Sequence, residues 1–164
     1  MNQDFKDLLS AFHARGVKYL IVGGYAVILH AQPRFTRDID LFVKADAENA
    51  KATFAALASF GTMLAGLQVE DFADQRNFFR FGNDPQGIDI LLEIPGIEFD
   101  RAWEHRVEAV IDAETGMTGS FISRDDLITS KLASGRLQDL ADVSAIREAL
   151  RADDKLLPDS EPAN

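Results

Sequence analysis

Residues Gly23 to Val43 read GGYAVILHAQPRFTRDIDLFV, and this stretch decides the fold. Upstream, Lys18-Tyr19-Leu20-Ile21-Val22 is a short apolar run that reads as a buried strand, stopped by Gly23-Gly24. Tyr25 to His30 reads as a short helix, ended before Pro33, which cannot continue one. Asp38 to Val43 alternates with a period of two. Asp38, Asp40 and Phe42 share one strand face, and Ile39, Leu41 and Val43 share the other. The two carboxylates therefore project together, about 7 Å apart at the backbone.

A strand that ends on two glycines and turns into a helix lets a polyanion approach the backbone and meet free helical N–H groups. An ordinary strand-to-helix turn explains the glycines equally well. Two aspartates on one face repel unless a cation lies beside them. Oxygen donors of this kind suit Mg²⁺, with Mn²⁺ as a second candidate. The bland alternative is a half-exposed strand with two surface aspartates. A third carboxylate, Asp89, lies within the apolar Gly87-Ile88-Asp89-Ile90-Leu91-Leu92-Glu93. Unpaired and buried, it would be costly, so it should face something positive, a cation shared with Asp38 and Asp40; an arginine partner or an exposed strand face is the alternative.

Other elements follow from periodicity and punctuation. Asp4 to Arg15, with Phe5, Leu8, Leu9 and Phe12 at helical spacing, predicts an amphipathic helix ended by Gly16. Ala47 to Phe60 predicts a helix, and Met63 to Asp74 is ambiguous. Phe78–Phe81 and Ile88–Glu93 predict two strands joined by a turn over Gly82–Gly87. Phe99–His105 predicts a short helix, and Val107–Ile111 and Gly119–Ile122 predict strands. Ser123-Arg124-Asp125-Asp126 resembles a capping box, opening a helix from about Asp125 to Arg136, with a second helix to Leu150. The class is α/β (α+β): a small mixed sheet flanked by helices, with a helical C-terminus. Residues 1–150 form one domain, and 151–164 read as a disordered acidic tail.

The 164 residues, 46% of them hydrophobic, suffice for one well-buried core. The absence of cysteine excludes disulfides and thiolate metal sites. Asp4, Lys6, Asp7 and Arg15 interrupt the N-terminal segment, against a signal peptide. No apolar run approaches the ~20 residues of a membrane span. The expected location is the cytoplasm, with no membrane partner. The net charge of −10 gives no global attraction for nucleic acid. His13, His30 and His105 lie in separate elements and make no metal-spacing pattern, His30 reading as a helix C-cap. Tyr25 is a core aromatic or a base-stacking one. Arg76, Asn77 and Arg80 read as solvated surface, with phosphate or base contact as the alternative. Trp103 reads as packing.

The combination of an apolar strand, Gly23-Gly24, thirteen residues, Asp38-Ile39-Asp40-Leu41 and the later Asp89 resembles the DNA polymerase beta-like nucleotidyltransferase superfamily. Within it, Arg34, Thr36-Arg37 and the segment from Lys131 through Arg136 and Asp139 to Asp142 are similar to the abortive-infection toxin nucleotidyltransferases and related bacterial proteins. The resemblance covers Val17 to about Ala149. It implies transfer of a nucleoside monophosphate from a nucleoside triphosphate to an acceptor hydroxyl. Gly23 and Gly24 would grip the triphosphate, and Arg34, Thr36, Arg37, Lys131 and Asp139 would line the nucleotide site. Asp38, Asp40 and Asp89 would hold divalent metal, Asp89 alternatively drawing the acceptor's proton. Lys131 would contact phosphate. From the residues alone, Arg136 and Asp139 also fit a helix-surface ion pair of little energy. Implied acceptors are RNA, a protein or a small molecule such as an antibiotic, and a toxin would have a cognate antitoxin as partner. A drug-modifying transferase is an alternative, as is a non-catalytic member binding a nucleotide or partner. Two departures stand out: Gly24 replaces the serine common in the superfamily, and the chain lacks the extended helical domain of larger toxin members.

Overall fold

The computed structural model describes residues 1–82 and 86–156. In chain order the elements are α1 (Gln3–Ala14), β1 (Tyr19–Val22), α2 (Gly23–His30), β2 (Ile39–Val43), α3 (Ala47–Phe60), a 3₁₀ turn (Val69–Ala73), β3 (Phe78–Phe81), β4 (Ile88–Leu91), α4 (Phe99–Glu104), β5 (Val107–Asp112), β6 (Met117–Phe121), α5 (Arg124–Ser134) and α6 (Leu137–Leu156). The strands form one mixed sheet in the order β3-β4-β2-β1-β6-β5. β2 runs parallel to β4 and β1 parallel to β6, while the β1/β2, β3/β4 and β5/β6 pairs are antiparallel.

Local chemistry sets the element ends. Asn2 caps α1 by accepting the Phe5 N–H, and Asp46 caps α3 by accepting the Asn49 N–H. Gly61 and Gly135, both left-handed, close α3 and α5. Ser123 opens α5: its hydroxyl accepts the Asp126 N–H and donates to Asp126 Oδ2. Phe5, Leu8, Leu9 and Phe12 of α1 are fully buried with Leu20, Ile21, Ile39 and Leu41 of the central strands. Burying a large aliphatic or aromatic side chain contributes about 1.5–3 kcal/mol, so this cluster dominates the fold's stability. Among the described residues no helix is long and apolar enough to cross a membrane.

Several expectations need correction. α2 begins on Gly23, not Tyr25, because Gly23 takes φ +60° and the chain turns into the helix at once. Asp38 lies just outside β2 and its side chain bonds another loop. Phe42 is buried against Phe99, so this end of β2 is covered on both faces rather than half-exposed. β4 ends at Leu91 and α5 at Ser134. α6 continues to Leu156, so 151–156 are helical, whereas 157–164 lie outside the described residues. Residues 83–85 of the predicted β3–β4 turn also lie outside them. His30 does not cap its own helix: its buried Nε2–H donates to the Ile122 carbonyl at 2.8 Å, tying α2 to the β6–α5 junction.

Candidate active site

The sheet register assembles the centre. Val22 pairs with Asp40, Asp40 with Asp89, and Asp89 with Arg80, so these four residues form one row across β1, β2, β4 and β3. Neighbours in such a row share a face and lie one strand spacing apart, about 4.8 Å. Two carboxylates and a guanidinium, distant in sequence, thus meet immediately beside the Gly23-Gly24 turn.

The glycines are dictated by what packs on them. A Cβ at Gly23 would overlap the Asp40 carboxylate, and its φ of +60° disfavours any side chain. A Cβ at Gly24 would overlap the Thr36 hydroxyl. The serine that the resemblance expects at position 24 has no room. Thr36 brings a hydroxyl to that place from the α2–β2 loop. Val22, at the N-cap of α2, makes no side-chain capping bond among the described residues, so the N-terminus of α2 is open toward Asp40. The Gly24 N–H is turned to Asp40.

Asp40 is the strained charge. Burial, then Asp89, then Asp38 push its carboxyl up to about 6, against weaker help from the Gly24 N–H and Lys131. Among the described residues Asp40 forms no ion pair. Asp89 is also raised, by burial first, with Arg80 opposing. Arg80 Nη1 donates to both Asp89 oxygens at 3.0 and 2.9 Å, and Nη2 to Asp38 Oδ2 at 3.1 Å. The Gly87 N–H donates to Asp38 Oδ1 at 2.8 Å. Arg80, read as solvated surface, is therefore a member of the centre. Its signal was faint: one arginine in Phe78-Phe79-Arg80-Phe81, two strands from Asp40.

Lys131 is buried and donates to Asp139 Oδ1 at 2.9 Å and Asp142 Oδ2 at 2.8 Å. Arg136 and Ser134 bond the other Asp139 oxygen, and Arg34 reaches Asp142 at 3.4 Å. Burial acts to raise Asp139, but Lys131, Arg136 and Ser134 outweigh it and hold it down to about 2. The Arg136–Asp139 pair exists, but with Asp139 buried it belongs to this network rather than to a helix surface. Gly135 breaks the chain between α5 and α6, and the network staples the two helices together.

Two cavities meet over Gly23, Asp40, Lys131, Arg136 and Asp139. One, of about 310 Å³, is polar and gathers Gly24, Arg34, Thr36, Arg37 and Asp38. The other, of about 560 Å³, is walled by Val22, Leu91, Ile94, Pro95, Ile122 and Leu127, with Glu93 on its wall. Every residue expected at the site lines one of them except Asp89, which sits on the far side of Asp40 under Arg80. Tyr25 packs edge-to-face on Phe5 at 6.0 Å and Trp103 stacks on Phe99, so both serve packing. Arg76 pairs with Asp74 at the surface. Among the described residues no group of three or more Asp, Glu or His side chains is arranged as a ready metal cage. The donor set nonetheless fits a hard cation: Asp40 is half-buried, raised and without a counter-ion among the described residues, and Asp38 and Asp89 share one arginine.

No curated protein matches the chain in sequence. Among solved structures, the chain is similar to the lincosamide antibiotic adenylyltransferase LnuA with lincomycin bound: TM-score 0.56, 16% identity, covering 91% of this chain and 98% of that one. That likeness shows the fold, a nucleotidyltransferase fold with a mixed six-stranded sheet. The family model described as "Nucleotidyltransferase of unknown function (DUF6036)" matches residues 2–153. With nearly the whole described chain inside that match, the chain belongs to this family of nucleotidyl-transferring enzymes, the polymerase beta-like superfamily that the Gly23–Asp40 stretch resembles.

Proposed function

We propose that the chain transfers a nucleoside monophosphate from a nucleoside triphosphate to the hydroxyl of a small molecule, with Mg²⁺ or Mn²⁺. The observation that carries this is the row Val22–Asp40–Asp89–Arg80 beside the uncapped N-terminus of α2. Beside that row, Gly23 and Gly24 converge with Asp38 and Asp40 on one cavity.

The triphosphate lies in the smaller cavity, held by the α2 N–H groups, the Thr36 hydroxyl, and Arg34, Arg37 and Arg136. Lys131 adds charge from the wall, its direction fixed by Asp139 and Asp142. The nucleoside occupies the larger cavity, whose apolar wall excludes water from the α-phosphate and whose volume suits a small organic body. Asp38 and Asp40 would hold the metal, which when bound neutralises phosphate charge and lowers the hydroxyl's proton affinity, and Asp89 is left beside it as the base. The acceptor approaches on the Asp89 side. Its oxygen forms a bond to the α-phosphorus while the bond to the bridging oxygen breaks and pyrophosphate leaves; Asp89 takes the hydroxyl proton. A small acceptor agrees with the net charge of −10 and with the drug substrate of the similar adenylyltransferase.

A second reading, a toxin acting on tRNA or protein and silenced by an antitoxin, draws on Phe35 and Leu137. These are 78% and 88% exposed on segments that also line the polar cavity, where a macromolecule would cover them. Incubation with each α-labelled nucleoside triphosphate, Mg²⁺, a panel of hydroxyl-bearing small molecules, RNA and lysate separates the readings. Label in the small-molecule fraction, abolished by Asp40→Asn, supports the first; label in RNA or protein replaces it with the second. Label in no fraction sinks both.

A further inference from the structure

Both oxygens of Asp38 are engaged on the β3–β4 side: Oδ2 by Arg80 and Oδ1 by the Gly87 N–H. Both oxygens of Asp89 are engaged by the same guanidinium. Of the three carboxylates, Asp40 alone makes no ion pair among the described residues. The reach of Arg80 is built into the backbone. A Cβ on Gly87 would stand 2.6 Å from Arg80 Nη2 and 3.0 Å from Asp38 Oδ1, so a side chain there would wedge the pair apart.

We propose that Arg80 is a resident counter-ion that a divalent cation must displace from Asp38. The inference rests on the metal reading given above. Arg80 pairs with two of three mutually repelling carboxylates and offsets one of their charges, so the free protein stays folded around them without metal. With one oxygen on Arg80 and the other on the Gly87 N–H, Asp38 has only its remaining lone pairs for a cation beside Asp40, and the Arg80 charge would oppose that cation's approach. A cation would therefore compete with Arg80, which bridges the two carboxylates through Nη2 on Asp38 and Nη1 on Asp89, and would bind the free protein weakly. Arriving with the triphosphate it brings further oxygen ligands, and the exchange becomes favourable. Arg80 then keeps its second fork on Asp89 and holds that carboxylate toward the acceptor. Arg80 is thus a positioning residue.

The test is Mn²⁺ binding to the full chain by electron paramagnetic resonance, without nucleotide and with a non-hydrolysable triphosphate. Arg80→Met removes the competing charge at similar length and is expected to bind Mn²⁺ at least tenfold more tightly without nucleotide. Arg80→Lys, a charge without the fork, should fall between. Equal or weaker Mn²⁺ binding by a folded Arg80→Met overturns the inference, because an arginine that only organised the ligands would loosen the metal when lost. If Arg80→Met does not fold, Gly87→Ala carries the test, with tighter Mn²⁺ binding expected and unchanged binding overturning it. Absence of Mn²⁺ binding in the natural protein even with the triphosphate removes the metal reading itself, a distinct outcome that takes this inference with it.

Discussion

The Cα of Gly23 lies so close to the Asp40 carboxylate that no Cβ fits between them, and φ at Gly23 is +60°. Gly23→Ala therefore meets two penalties at once. The left-handed conformation costs about 1–2 kcal/mol for a non-glycine residue, and the overlap forces Asp40 from its row. The expected result is a melting temperature lowered by several degrees and turnover lost beyond what the stability change explains. Calorimetry together with a pyrophosphate-release assay checks this; an active, equally stable variant would contradict the geometry.

The raised carboxyl of Asp40 predicts an unusual pH dependence. Its folded value, about 6, lies above the ordinary 3.8, so between these values the folded state holds a proton that the unfolded state has released. Stability contributed by this group therefore falls as pH rises from about 4 to about 6 and is flat above. Asp40→Asn, neutral throughout, should be more stable than the natural protein above pH 6, on the order of 2–3 kcal/mol, and no more stable near pH 4. Denaturant melts at the two pH values decide it. Mg²⁺ added together with a non-hydrolysable triphosphate should stabilise the natural protein above pH 6 by more than it stabilises Asp40→Asn.

Lys131 is buried between two carboxylates, which separates its structural from its chemical role. Lys131→Met leaves Asp139 to Arg136 and Ser134, and Asp142 to Arg34 and Gln138, so the loss should stay below the about 3–5 kcal/mol of a fully broken buried pair. The triple variant Lys131→Met, Asp139→Asn, Asp142→Asn should recover most of that stability. If Lys131 also serves the phosphates, the triple variant stays deficient, with the Michaelis constant for the nucleoside triphosphate raised at least tenfold. Recovery of both stability and activity would reduce Lys131 to a staple.

What was legible in the chain was what lies within one element. Period-two alternation set Asp40 apart from the buried Ile39 and Leu41, and a lone charge in an apolar run flagged Asp89, because both signals need only local spacing; Asp38, just outside β2, is held by Arg80 and Gly87 instead. Arg80 was illegible because its partners come from strand order: β3 joins β4, and β4 joins β2 across α3. The partners of Lys131 were hidden by the left-handed break at Gly135, which cancels helical spacing between positions 131 and 142. The Thr36–Gly24 contact depends on how the loop after α2 folds back, which no periodicity encodes.

That last contact makes a reciprocal test. Gly24→Ser alone places a side chain onto the Thr36 hydroxyl and should perturb the loop carrying Arg34 and Arg37. Thr36→Val, of nearly the same shape, removes the hydroxyl alone and should raise the Michaelis constant for the triphosphate roughly ten- to a hundredfold with little change in melting temperature. Losing one hydrogen bond to a charged group costs about 1.5–3 kcal/mol, which sets the size expected. The double variant Gly24→Ser, Thr36→Ala then moves the hydroxyl from the loop to the helix N-terminus. If the position of the hydroxyl matters rather than the residue that bears it, the double variant binds the triphosphate better than either single variant. If its binding loss equals the sum of the single losses, Thr36 acts through the loop and not on the phosphates.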